Sequence, residues 1–278
     1  MHWPTSFSSD IYAGLYVLLE KFKDQFDDIV IISAGPSLKA IDKSRLRSFC
    51  RGKLVVCVKQ TLDFIDFVPH IHLLNDFNLK RYDYKGRDIL KVMVKSPSWF
   101  SYTPNYMYDV LFNIVKSTCH SEGSLSVTRE YEKWQNLGDR QCAWGPGIMH
   151  ELGIYLPKYL NCKRAYFIGW DIGSPSTNVI DRFYEDQSLQ KIIKNKLINF
   201  NINFYNKLYI KCENIIRFFL FLSKFPIMIN VPGVTKNEAM LISESTKDLY
   251  FFYRSNNIEC FCVSDESMMS SYFERYKI

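Results

Sequence analysis

Residues 28–46 read Asp-Ile-Val-Ile-Ile-Ser-Ala-Gly-Pro-Ser-Leu-Lys-Ala-Ile-Asp-Lys-Ser-Arg-Leu, and this stretch decides the fold. Ile29-Val30-Ile31-Ile32 is a short continuous β-branched run, the pattern of a strand buried on both faces of a parallel sheet. Ser33-Ala34-Gly35-Pro36-Ser37 breaks it, and residues 38–49 have helical spacing with Asp42 and Arg45 on the exposed side. Strand, tight turn and helix in this order form the unit of an open α/β sheet. Backbone N–H groups at such a helix start point beyond the carboxyl end of the strand, where anions bind and where open α/β sheets place ligands. The loop is neither a GxGxxG nor a Walker loop, so its chemistry alone also fits a plain turn in which Ser37 caps the helix.

The same alternation continues outward. Residues 11–24 read as a helix. Residues 53–58 (KLVVCV), 70–74 (HIHLL, ending at Asn75-Asp76) and 89–94 read as strands, with a helical turn over 61–67. The least regular part is 97–141, a long excursion carrying a helix over 108–116 and suited to covering a site. Trp144-Gly145-Pro146-Gly147 opens a helix over 148–160, and the strand 165–168 ends in Gly169-Trp170-Asp171. Beyond it lie a basic aromatic helical stretch (187–224), a strand (227–231), a helix (238–253), a last strand (258–263) and a terminal helix. The expected fold is α/β: a doubly wound, mainly parallel, Rossmann-like nucleotide-binding sheet in one domain spanning 1–278, with a helical lid over 174–226.

Hydrophobic residues make up 47% of the 278-residue chain, which excludes a wholly disordered protein. Lys and Arg total 35 against 29 Asp and Glu, and the resulting +6 suits an anionic partner such as a nucleotide, an acidic glycan or a membrane surface. It is too mild for the concentrated basic stripe of a nucleic-acid binder, so no nucleic acid is expected. None of the 8 cysteines forms a CxxC pair, and they read as reduced and buried. The N-terminus lacks the pattern of a signal peptide, and the greasiest stretch, 215–229, is interrupted by Arg217, Lys224 and Pro226. The expected location is therefore cytoplasmic. Lys191, Lys194, Lys196, Lys207, Lys211 and Arg217, interleaved with Phe and Ile, suit a helical hairpin lying on the inner membrane, or more plainly a solvated face over a core-packed helix.

Two glycine-centred motifs carry further chemistry. Gly145-Pro146-Gly147 precedes a helix, where small residues let a ligand approach the backbone. Asp171 ends a buried strand, placed to accept hydrogen bonds from ribose or sugar hydroxyls, or to serve as a turn residue.

The order of these motifs resembles bacterial sialyltransferases that use CMP-sialic acid, whose α/β fold is of the GT-A-variant or GT-B-related kind. Gly35, Pro36, Ser37, Leu38, Ile41, Asp42, Ser44, Arg45 and Leu46 fit the family's first strand, loop and helix. HIHLLNDF resembles its strand ending in a donor-contacting Asn, here Asn75. Gly147 and Asp171 match its small-residue loop and Gly-x-Asp strand end, and Ser267 lies in its closing Ser-bearing loop. WGPG…GWDIG followed by Arg182-Phe183-Tyr184-Glu185 is similar to proteins that transfer the related acid Kdo. The sequence departs from the sialyltransferases at Ala34, where the family has Asn, and at Gly173, where it has Tyr. It also has no histidine after His150, although the family takes its general base from that region.

The resemblance implies a metal-independent glycosyltransferase that moves Kdo or sialic acid from a CMP donor to a bacterial surface glycan or glycolipid: lipopolysaccharide, lipooligosaccharide or capsule. Gly35, Pro36, Ser37, Asn75, Gly145, Pro146, Gly147 and Ser267 would hold the donor. Asp76, Asp171 and Glu185 are the candidate catalytic carboxylates, with Glu151 a further one, acting as base or nucleophile. No metal and no cofactor beyond the donor are expected. His70-x-His72 would put two imidazoles on one strand face, which falls short of a metal site. Two other functions fit the same sheet: a nucleotide-dependent pyrophosphokinase or phosphotransferase, and a non-catalytic binding protein of glycan assembly.

Overall fold

A computed structural model describes residues 11–75, 82–95, 108–115, 129–134, 142–143, 147–171, 232–263, 267 and 269–278. The β-branched run forms β1 (Asp28–Ile32), with everything after Asp28 buried. It is preceded by α1 (Ile11–Phe22) and followed by a 3-10 turn (Pro36–Ala40), α2 (Lys43–Cys50), β2 (Leu54–Val58) and α3 (Thr61–Phe64). Next come β3 (Ile71–Asn75), β4 (Leu90–Lys95), β5 (Val110–Val115), α4 (Tyr131–Trp134) and β6 (Cys142–Ala143). Then α5 (Ile148–Glu151), a 3-10 turn (Gly153–Tyr155) and α6 (Leu156–Tyr159) lead to β7 (Arg164–Ile168). The chain ends with α7 (Pro232–Ser255), β8 (Glu259–Cys262) and β9 (Glu274–Arg275).

Among the described residues the strands form one nine-stranded sheet in the order β6-β5-β4-β3-β2-β1-β7-β8-β9, with every neighbouring pair parallel. Alternation along each strand sends side chains to two apolar layers. Ile29, Ile31, Val56, Leu73, Val92 and Phe167 pack with Leu18 and Phe22 of α1, Leu156 of α6 and Phe252 of α7. Val30, Ile32, Val55, Cys57, Tyr166 and Ile168 pack on the other face with Leu38, with Leu46 and Cys50 of α2, and with Leu62 of α3. Helices thus cover both faces, which is what lets the strands read as continuous apolar runs. Each fully buried Val, Leu or Ile contributes about 1.5–3 kcal/mol by leaving water, before the entropy of ordering is counted. The fold is α/β and Rossmann-like. No described helix is long and apolar enough to cross a membrane.

Four local expectations are corrected. Residues 38–49 are not one helix, because Asp42 sits in an extended conformation and caps α2, its carboxylate accepting the Arg45 N–H at 2.9 Å. The helix expected over 108–116 is the strand β5, in which Val110 and Phe112 are buried and Leu111 is only half-buried, a period of two set by pairing with β4. The helix over 148–160 is broken into α5, a 3-10 turn and α6, because Leu152 leaves helical geometry (φ −143°) and Pro157 brings no N–H to continue a helix. The terminal helix is instead a turn followed by β9, fixed by pairing Phe261 with Glu274 and Cys262 with Arg275. The expected lid over 174–226, the basic aromatic stretch and the strand over 227–231 lie outside the described residues.

Candidate functional site

From β1 the chain builds outward through β2 to β6 on one side, then returns to lay β7 on the other. The order therefore reverses between β1 and β7, and the crevice beyond their carboxyl ends is where a doubly wound sheet takes its ligand. The two strand ends are locked together there. Ser33 N–H donates to the Ile168 carbonyl at 2.8 Å, and Gly35 N–H to the Gly169 carbonyl at 2.7 Å.

Both glycines are demanded by this approach. A Cβ on Gly35 would stand 1.8 Å from Asp171 Oδ1 and 2.4 Å from the Gly169 oxygen. Gly169 has φ +65°, and a Cβ there would stand 2.4 Å from the Ser33 oxygen. Bare backbone on both sides brings Asp171, itself buried, over the turn, where its Oδ2 accepts the Ser37 N–H at 2.9 Å.

Several donors of the β1 turn are thereby assigned. Gly35 N–H goes to Gly169, Pro36 has none, Ser37 N–H goes to Asp171, and Leu38 N–H goes to the Gly35 carbonyl at 3.2 Å. The protein's own carboxylate occupies the anion position at the start of the 3-10 turn. Ser37 lies inside that turn, whose N-cap is Gly35, so it is not the cap expected from sequence.

Other expected residues reach the same edge. Asn75 is the last residue of β3, and Gly147 (φ +91°) precedes α5. Ser267 follows β8, and its hydroxyl donates to the Trp170 carbonyl at 3.1 Å while accepting the Met269 N–H at 3.2 Å, which ties the segment after β8 to the Asp171 segment. Asp76, Gly145, Pro146 and Glu185 lie outside the described residues. Of Glu151 only the backbone, closing α5, is described.

Sequence reasoning missed Ser33, Lys59 and Thr61, which lie within three residues of the ends of the buried runs of β1 and β2. That position is the signal that would have found them. Thr61 Oγ1 lies within hydrogen-bond distance of the Ile32 and Val58 carbonyls, at 3.2 and 3.0 Å, clamping the ends of β1 and β2. The buried hydroxyls of Ser33 and Ser37 and the side-chain oxygen of Asn75 have no hydrogen-bond partner among the described residues. Buried polar atoms are nearly always satisfied, so three such atoms on one sheet edge mark a place where a ligand can supply partners.

The histidines separate. His70 precedes β3 and packs on Phe22 and Phe26 beside α1, whereas His72 packs edge-on against Tyr82 at 4.6 Å on the other face. They do not share a strand face, because the alternation of β3 begins only at Ile71. Among the described residues no three His, Cys, Asp or Glu cluster as metal ligands. Burial lowers His72 to about 4 and His150 to about 3, so both imidazoles are neutral.

Fold and site define a doubly wound α/β protein whose strand order reverses between β1 and β7, with the buried Asp171 set over the β1 turn. No family model matches the chain, and no curated protein matches it. Among solved structures, it is similar to the MAf glycosyltransferase from Magnetospirillum magneticum AMB-1, at 10% identity and a TM-score of 0.34, over 66% of this chain and 30% of that one. This chain therefore spans under a third of that protein's length, and a likeness of that size adds nothing to the reading of the site.

Proposed function

We propose that the chain is a glycosyltransferase that moves an acidic ulosonic sugar, Kdo or sialic acid, from a CMP-activated donor to a bacterial surface glycan. The observation that carries this reading is the contact of Gly35 with Asp171 at the strand-order reversal. Ser37 and Asp171, joined by a hydrogen bond, are 134 residues apart in sequence, and each belongs to a motif that the resemblance ties to the donor. Asn75, the third such residue, ends β3 on the same edge.

In the reaction an acceptor hydroxyl attacks the anomeric carbon. The bond to the CMP phosphate oxygen breaks, CMP leaves with the bonding electrons, and the hydroxyl proton passes to a base. Because the Gly35 and Ser37 amides of the β1 turn are engaged within the protein, the nucleotide would be held by side chains of the edge: Asn75, Ser33 and the Ser37 hydroxyl. Asp171 would orient the ribose or sugar, and Asp76 or Glu185 would take the proton; in a double displacement one carboxylate would instead expel CMP first and then be displaced by the acceptor hydroxyl. Gly145, Pro146 and Gly147 would flank the phosphate. Such a site works by orientation and by stabilising the departing charge.

The test is incubation with CMP-Kdo and CMP-sialic acid separately, measuring CMP release with and without EDTA. Release from one donor, lost in Asp171→Ala, is the expected result. CMP binding without release from either donor would assign a non-catalytic glycan-assembly protein. Magnesium-dependent ATP turnover would assign a phosphotransferase.

A further inference from the structure

Among the described residues, Asp24, Lys59, Asn161 and Asn257 are the non-glycine residues with positive φ. Asp and Asn adopt this conformation readily, and Lys does not. Lys59, at φ +52°, is the first residue after β2. Its backbone is held from two sides. Its N–H donates to the Leu73 carbonyl at 3.0 Å, and its carbonyl lies 2.7 Å from His72 Nε2.

The carbonyl can only accept, so Nε2 carries the proton. Nδ1 then accepts the Tyr84 hydroxyl, 2.6 Å away. His72 is fully buried, and its neutral form is the one this arrangement requires. A chain from Tyr84 through His72 thus fixes a strained lysine backbone. Strain kept in place by buried hydrogen bonds is characteristic of functional positions.

The location gives that strain a use. β2 lies between β1 and β3, with Ile32 paired to Cys57 and Val58 paired to Leu73. Ser33, Lys59 and Asn75 therefore fan across the carboxyl edge of three neighbouring strands. The two flanking residues are 2% and 6% exposed, and each has a buried polar side-chain atom without a partner among the described residues. Strands about 4.8 Å apart set the ends of β1 and β3 about 10 Å apart, a separation one nucleotide can bridge.

Resting on the CMP-donor reading above, we propose that Lys59 is the cation that receives the phosphate of the cytidylate, and that His72 is the positioning residue that presents it. The Gly35 and Ser37 amides of the β1 turn go to Gly169 and Asp171, so a side-chain cation takes over the anion binding that open α/β sheets otherwise assign to that turn.

Calorimetry with CMP, cytidine and free Kdo or sialic acid tests this on the full chain. Lys59→Met is expected to weaken CMP about tenfold or more and leave cytidine unchanged, as loss of a charge-assisted contact to phosphate requires. Lys59→Arg is expected to recover most of the CMP affinity. Lys59→Gly relaxes the backbone and is expected to melt no lower than wild type while still losing CMP, which a purely structural Lys59 would not do. His72→Leu is expected to lower the ratio of CMP to cytidine affinity, where simple loss of packing would lower both together. Equal CMP affinity in wild type and Lys59→Met overturns this assignment and leaves the function standing. A loss confined to the free acid moves the cation to the sugar carboxylate and also overturns it. A wild-type protein that binds neither CMP nor cytidine overturns the function itself.

Discussion

Asp171 Oδ2 accepts the backbone N–H of Ser37 at 2.9 Å, so the segment after β7 holds shut the turn after β1. The bond fills with an internal carboxylate the place where such a turn would otherwise meet an external anion. Asp171→Ala leaves a part-buried N–H without its acceptor and is expected to cost about 1–3 kcal/mol of stability. Asp171→Asn keeps an acceptor oxygen and is expected to cost less than the alanine variant. Urea unfolding of the three proteins measures this, and identical midpoints would show that the bond does not hold the turn.

The crossing backbones make a second demand. Gly35→Ala would drive a methyl to within 1.8 Å of Asp171 Oδ1, and Gly169→Ala would combine a 2.4 Å overlap with the Ser33 oxygen and a φ of +65°. Both are expected to destabilise by about 1–3 kcal/mol through overpacking, with Gly169→Ala adding backbone strain. Gly35→Ala in an Asp171→Ala background removes the nearest of the atoms it meets, so the two losses are expected to be less than additive. Additive losses in a double-mutant cycle would mean that Gly35 and Asp171 do not meet.

What the sequence disclosed follows from which interactions are local. β1 was legible because Ile29 to Ile32 is β-branched throughout and ends at a glycine turn. β5 was not, because Val-Leu-Phe-Asn-Ile-Val fits helix or strand by composition, and the choice is made by pairing with β4. β9 is two residues long and exists through its bonds to β8, which no local pattern encodes. At the site, Gly35 and Asp171 stood out as motif residues. The engagement of Ser37 N–H by Asp171 is a through-space contact that could not be read from either motif alone. The left-handed Lys59 depends on His72, whose tautomer is set by the Lys59 carbonyl and whose other ring nitrogen accepts the hydroxyl of Tyr84 from a separate segment.

Acid should weaken the fold through its buried histidines. Burial holds His72 at about 4 and His150 at about 3, against an ordinary 6.5, and pushes His70 in the same direction. His72 faces the Tyr84 hydroxyl, the Tyr82 ring, the Lys59 carbonyl and the field of Asp63. His150 faces Ser245, Trp170 and Tyr131. With depressed folded-state values, the unfolded chain binds protons that the native chain refuses. Stability is therefore complete above about 6.5 and falls as pH drops toward 4 for His72 and 3 for His150. Each buried histidine contributes a slope approaching about 1.4 kcal/mol per pH unit. Melting from pH 8 to 5 is expected to show a steady drop below 6.5 that is shallower in His150→Phe. A flat profile would mean that these imidazoles are solvated.

Cysteine reactivity reads the sheet from its centre to its edge. Cys50, Cys57, Cys162, Cys260 and Cys262 carry buried thiols. Alkylation needs the thiolate. Burial pushes Cys50, Cys162 and Cys260 up to about 12, and Cys57 higher still. All five are shielded by burial and should resist iodoacetamide at neutral pH in the native protein and react once it unfolds. Their order of release should follow the topology. Cys57 lies in β2, paired on both sides by β1 and β3, and should react only with global unfolding. Cys260 and Cys262 lie in β8, whose outer side is covered by a two-residue strand, and should open at lower denaturant. Peptide mass spectrometry across a urea series resolves the two classes, and release of Cys57 before Cys260 would be inconsistent with β2 lying inside the sheet and β8 near its edge.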